Sequence, residues 1–219
     1  MNKKDIEEQL INDLRDQNAG DTFDFKVPEH LEKKNIAYYS ILLDLQTCRK
    51  ALVKLLELNE EIVQTSLFTS VIILYGKCFT DSSSSKYPKL ESTVFDSQET
   101  KFEILHSTIM NMRHNFVAHR GETDHEFGKA YFQINPKTME WGIKVGLQRR
   151  HSFEIEDIPD YIELIDFLID LTIKKYEKVG SKVLKHIFTN SGDKPVNLER
   201  VSNSNSELEQ YVKKVNLKK

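Results

Sequence analysis

Sulfur, proline and glycine are scarce in this chain, and no part of it is apolar for long. Two cysteines in 219 residues, Cys48 and Cys78, cannot make a disulfide framework. They lack the paired spacing of zinc ligands and fall in apolar helical patterns, so both are expected as reduced core thiols. Hydrophobic runs all fall short of the roughly 18 residues of a membrane span, and the opening MNKKDIEEQL has no apolar stretch of the secretory kind. A cytoplasmic location is the expectation. An excess of positive charge is missing too: the net charge is -3. That excludes broad electrostatic coating of nucleic acid but leaves room for a small, locally basic site. Walker loops, dinucleotide fingerprints and nucleophile elbows are also absent, and no carboxylate pair at helical spacing suggests Mg²⁺-dependent nuclease chemistry, which favours metal-independent chemistry or no catalysis.

What remains is a soluble chain with 39% hydrophobic and 30% charged residues, long enough to bury its own core. Residues 2–17 predict a short charged helix with a thin apolar stripe, and residues 18–28 read as a connector. Residues 29–60 contain no glycine or proline and predict one long helix, with Ile36, Tyr39, Leu43, Leu45, Cys48, Leu52, Leu55 and Leu56 among its apolar positions. At 1.5 Å per residue it would run about 45 Å, more than a small core needs, so a partner surface is expected to cover part of it. Residues 62–79 are apolar nearly all round and predict the central buried helix. Residues 81–95, DSSSSKYPKLESTVF, interrupt the pattern as a surface loop that leads into the next helix and is a candidate lid.

Two alternating runs follow further on. Ala130, Phe132 and Ile134 alternate with Tyr131 and Gln133, and Met139, Trp141, Ile143, Val145 and Leu147 alternate with Glu140, Gly142, Lys144 and Gly146. Across Pro136, Lys137 and Thr138 they predict an antiparallel hairpin within residues 129–156. Asp157 and Pro159 start a last helix over 158–188, with Gly180 as a weak point. Residues 190–219 read as a polar tail behind a domain of residues 1–189.

Residues 97–121, SQETKFEILHSTIMNMRHNFVAHRG, carry the chemistry. Asp96 and Ser97 are good caps, and Phe102, Leu105, Ile109, Met112 and Phe116 recur at three- and four-residue steps. The helix is expected to end near 117–120, before Gly121, so its last turn gathers Arg113, His114, Asn115, His119 and Arg120.

Arg113, a polar neighbour at His114, and His119 after five intervening residues resemble the signature of the HEPN superfamily, helical proteins many of which are ribonucleases. The string RHNFVAHR also resembles helix ends in its abortive-infection and toxin branches. The resemblance implies a helical bundle with the hairpin as an insertion. It implies a homodimer in which two motif helices bring two arginines and two histidines into one cleft. It also implies RNA as substrate and an antitoxin protein as a further partner.

The residue types suit that chemistry on their own. Attack of a 2′-hydroxyl on the adjacent phosphodiester needs a proton acceptor, a proton donor and positive charge on the phosphoryl oxygens. Histidine, with an ordinary pKa near 6.5, serves either proton role. Arginine's planar fork stays charged and makes paired hydrogen bonds to phosphate. Arg113 and His119 are therefore the expected catalytic pair. His114, Asn115 and Arg120 are supporting or RNA-binding candidates, and His106, seven residues before Arg113, is an outer one. In an unbroken helix the six-residue step turns about 240°, so Arg113 and His119 share no face unless the helix ends or a second subunit completes the site.

Metal chemistry is the rival. His114, His119, His125, Glu122, Asp124 and Glu126 crowd one segment, but the histidine spacings of five and six do not make a helical pair, so no metal or other cofactor is expected. The non-enzymatic alternative is a helical interaction module, or one that binds RNA or nucleotide, whose arginine and histidines complement a helix dipole.

Overall fold

The structure, a computed structural model, describes residues 27–81, 87–96, 100–117 and 126–189. It is mainly helical, with one two-stranded antiparallel hairpin between helices, as the sequence patterns predict. The order is α1 (Glu29–Leu55), α2 (Glu61–Cys78), a 3₁₀ turn (Ser92–Phe95), α3 (Thr100–Asn111), a π-helical turn (Met112–Val117), β1 (Glu126–Ile134), β2 (Trp141–Arg149), a second 3₁₀ turn (Ile155–Asp157) and α4 (Ile158–Thr189). The expected N-terminal helix over 2–17 and the tail over 190–219 lie outside the described residues. Two compact units are present, a larger one over Ile36–Tyr176 and a smaller one whose described parts are residues 27–35 and 177–189.

Helix α1 starts where Pro28 supplies a carbonyl to the amides of Leu31 and Glu32, at 2.8 and 2.9 Å, with Glu29 and Glu32 in the first turn, where carboxylates complement the dipole. It ends at Leu55, five residues before the expected boundary, because the chain tightens into a turn in which Leu56 and Glu57 amides reach back to Val53 and Lys54. Within the larger unit its buried stripe is Ile41, Leu45, Cys48, Leu52 and Leu55. Ile36, Tyr39, Leu43 and Leu56, also counted among its apolar positions, are exposed. The helix therefore buries one three-four stripe and leaves a second apolar set open. In the smaller unit Leu31 and Val179 are buried.

Helix α2 is less enclosed than its composition suggests. Phe68, Val71, Ile72, Tyr75 and Cys78 are buried, but Ile62 and Ile73 are open to solvent. Helix α4 adds Ile158, Tyr161, Leu164, Ile165 and Leu168 to the same core and continues without a break through Gly180. Phe153, just before α4, sets its ring edge against Phe68 at 4.8 Å and also meets Tyr161 at 4.6 Å. Ion pairs tie elements together at the rim: Arg49 Nε to Asp166 at 2.6 Å, and Lys101 Nζ to Asp160 and Glu163 at 2.9 and 2.7 Å. These are partly solvated and contribute modestly. Cys48 and Cys78 are free and buried, and burial raises both thiol pKa values, Cys48 to about 12, so neither is a nucleophile at neutral pH.

The described part of the loop over 81–95 is anchored. Leu90 is buried, its amide donates to the Cys78 carbonyl at 2.8 Å, and Phe95 closes the 3₁₀ turn in the core. Apolar side chains placed between serines and lysines do this: the segment reads as polar on average, yet two of its members are core residues.

Candidate functional site around Arg113

The motif helix does not run as a regular α-helix to its end. After Asn111 it widens into a π turn over Met112–Val117 that contains Arg113, His114 and Asn115. Nothing in the local residues announces this, since the turn contains neither proline nor glycine. Its tertiary setting is specific. Met112 is buried in the core, and the next side chain, Arg113, lies across Gly76 of α2, where a Cβ would stand 2.7 Å from its Nε. Gly76 is thus the position where two helices approach closely enough for an arginine side chain to lie on bare backbone. π-helical turns of this kind recur at functional sites.

Arg113 lies at one side of a cleft of about 490 Å³ within the larger unit. Its walls are mostly apolar, from Ile36, Ile41 and Ile73 to Tyr87 and Pro88. Its charged members are Arg113, Lys77, Lys89, Asp44 and Asp81. Lys77 pairs with Asp44 at 2.7 Å, and Lys89 pairs with Asp81 at 3.0 Å. No acidic partner among the described residues neutralises Arg113. Arg113 is half-buried, and no hydrogen bond to another described residue engages its guanidinium. A cleft of this size, apolar with a few polar groups at its edge, is of the kind that admits a small organic group such as a nucleobase.

The other expected site residues divide. His114 and Asn115 are exposed on the π turn, and Asn115 Nδ2 donates to Asn111 Oδ1 at 3.2 Å. His119 and Arg120 lie outside the described residues, as do His125, Glu122 and Asp124 of the rival metal cluster. Among the described residues no group of three His, Cys, Asp or Glu side chains converges on one point.

His106 has a different setting from Arg113. Its Nδ1 is 2.9 Å from the Tyr75 hydroxyl, and its ring lies 4.4 Å from Phe79 and 4.9 Å from Phe95. Burial lowers its pKa, so it is neutral at pH 7 and packs as an aromatic ring. Burial also raises the Tyr75 pKa well above the ordinary phenol value, so that hydroxyl remains protonated. Tyr75 adjoins Gly76, so His106 supports the stretch of α2 on which Arg113 rests.

No family model, curated protein or solved structure matches this chain. The functional reading therefore stands on these residues and on the motif. Sequence reasoning missed the cleft, whose members come from α1, α2, residues 80–81 and 87–89, and the π turn. The signal available was Gly76 itself, a lone glycine within an apolar helix and so a mark of close approach.

Proposed function

We propose that this chain is a metal-independent endoribonuclease of the HEPN type, in which Arg113 holds the scissile phosphate and His119 transfers the proton. The observation that carries this reading is the Arg113 guanidinium, left without an acidic partner among the described residues at the edge of a mostly apolar cleft. In the proposed reaction the 2′-oxygen bonds to phosphorus as its proton passes to a base. The bond to the 5′-oxygen breaks as that oxygen takes a proton, leaving a 2′,3′-cyclic phosphate and a 5′-hydroxyl. Arg113 supplies a fixed positive charge whose attraction strengthens as the phosphoryl oxygens gain negative charge. The adjoining cleft receives the base next to the bond that breaks. A second copy of the chain contributes the other Arg113 and His119, and the setting is phage defence or a toxin–antitoxin pair.

The test is cleavage of a broad RNA panel by the wild-type chain in the presence of EDTA, with the new ends identified. His119→Ala and Arg113→Ala should each lower the rate by roughly 10²- to 10⁴-fold. The double variant should be little worse than either, because the two groups act on one transition state. If the wild type cuts nothing, or both single variants cut as well as it does, the proposal fails. Binding of RNA or nucleotide at Arg113 without cleavage would instead support the module reading.

A further inference from the structure

The hairpin formed by β1 and β2 has one face without a single polar side chain along most of its length. Its register pairs Gly128 with Leu147, Ala130 with Val145, Phe132 with Ile143 and Ile134 with Trp141, and residues on directly opposed positions point to the same side. The other face carries Lys129, Gln133, Lys144 and Gln148 along with Phe127 and Tyr131. This strong two-sidedness normally means that the apolar side is covered. Here it is open: Phe132, Trp141, Ile143, Val145 and Leu147 are 61–67% exposed, and Ile134 is 50% exposed. Among the described residues Phe132 and Trp141 stack diagonally on each other at 5.9 Å. A lone two-stranded hairpin is marginal in water, and contiguous apolar patches of this extent mark association surfaces.

We infer that this face is the interface through which two copies of the chain associate, hairpin against hairpin. Area is the first argument. At roughly 150–250 Å² for a fully open aromatic side chain, the exposed parts of the face amount to on the order of 700 Å², against about 800 Å² that each partner gives to a standard interface.

Shape is the second argument. Along β1 the face rises from Gly128 and Ala130 at its base to Phe132 and Ile134 at its tip, while β2 carries Leu147, Val145, Ile143 and Trp141. A two-fold axis crossing the strands lays Phe132 and Ile134 of one copy over Gly128 and Ala130 of the other, so the β1 side of the face complements itself. Such a contact is isologous and closes at two copies, leaving Lys129 and Lys144 on the outer, solvated faces. The association stands whether or not the chain cuts RNA.

The chain's single tryptophan is Trp141, so its fluorescence reports on this face alone. Sedimentation of the full chain from sub-micromolar to tens of micromolar should show a monomer–dimer equilibrium. The tryptophan emission should shift from a water-exposed to an apolar position with the same midpoint. Ile143→Lys with Val145→Lys should raise the dimer dissociation constant at least about 100-fold while far-ultraviolet circular dichroism is unchanged. Gln133→Lys, on the other face, should leave it unaltered. Three results overturn the inference. One is a monomer with water-exposed Trp141 at every concentration. Another is a monomer with buried Trp141, meaning that the chain covers its own face. The third is a dimer that survives the double lysine variant, meaning that association uses another surface; that last result leaves the ribonuclease proposal standing.

Discussion

Arg113 lies across Gly76 so closely that a side chain at position 76 would collide with it: a Cβ there would stand 2.7 Å from Nε and 3.2 Å from Cγ, and would overlap Cδ. The glycine is inside α2, where alanine is the better helix former. The pair separates stability from function. Gly76→Ala should raise thermal stability by up to about 1 kcal/mol, because the displaced atoms belong to a long side chain that can swing aside. If Arg113 must rest there to hold phosphate, the same change should cut RNA cleavage at least about tenfold, a loss of roughly 1.4 kcal/mol of transition-state binding. A more stable enzyme of undiminished activity would show that the resting place of Arg113 is unimportant.

His106 gives a pH dependence with a definite sign. Burial lowers its folded pKa below the ordinary value near 6.5, so between the two values the unfolded chain binds more protons. This histidine's contribution to stability is present in full above about pH 6.5 and is lost as pH falls through the folded pKa. Chemical denaturation between pH 7 and 5, above the main carboxylate range, should show the midpoint falling with pH. His106→Phe should flatten that slope, since phenylalanine keeps the ring contacts with Phe79 and Phe95 and does not titrate. An unchanged slope in the variant would assign the dependence to other groups.

Leu90 tests whether the segment after residue 86 belongs to the core. Its side chain is buried, and Leu90→Ala should cost roughly 2–5 kcal/mol of folding stability, as for other buried leucines. Because Lys89 and Tyr87 line the Arg113 cleft beside it, affinity for a nucleotide held there should fall as well. A stability change below about 0.5 kcal/mol would return the segment to the surface.

The long helices and the hairpin were legible in the sequence because each is specified by a period. Spacing of three and four along 29–55, 61–78 and 158–189, with few breakers, leaves helix as the way to bury one stripe. Period-two alternation on either side of Pro136, Lys137 and Thr138 sets the register that pairs Phe132 with Ile143. Met139 was expected in the second strand, but it adopts a positive φ of 59° in the turn, so the strand begins at Trp141.

Which apolar residues are covered was decided by tertiary structure. Period alone says that Ile36 and Leu45 are both apolar helix positions, and only the placement of α2 and α4 buries Leu45 and leaves Ile36 open. Arg113 and His106 make the same point about the site. Seven residues apart on one helix, they stood together as candidates in the sequence. Long-range neighbours separate them: Tyr75, Phe79 and Phe95 hold His106 as a neutral core ring, while Gly76 gives Arg113 room to lie beside the cleft. The motif names the residue types suited to phosphate chemistry, but the surroundings that make one a charged donor and the other a packed ring come from distant parts of the chain.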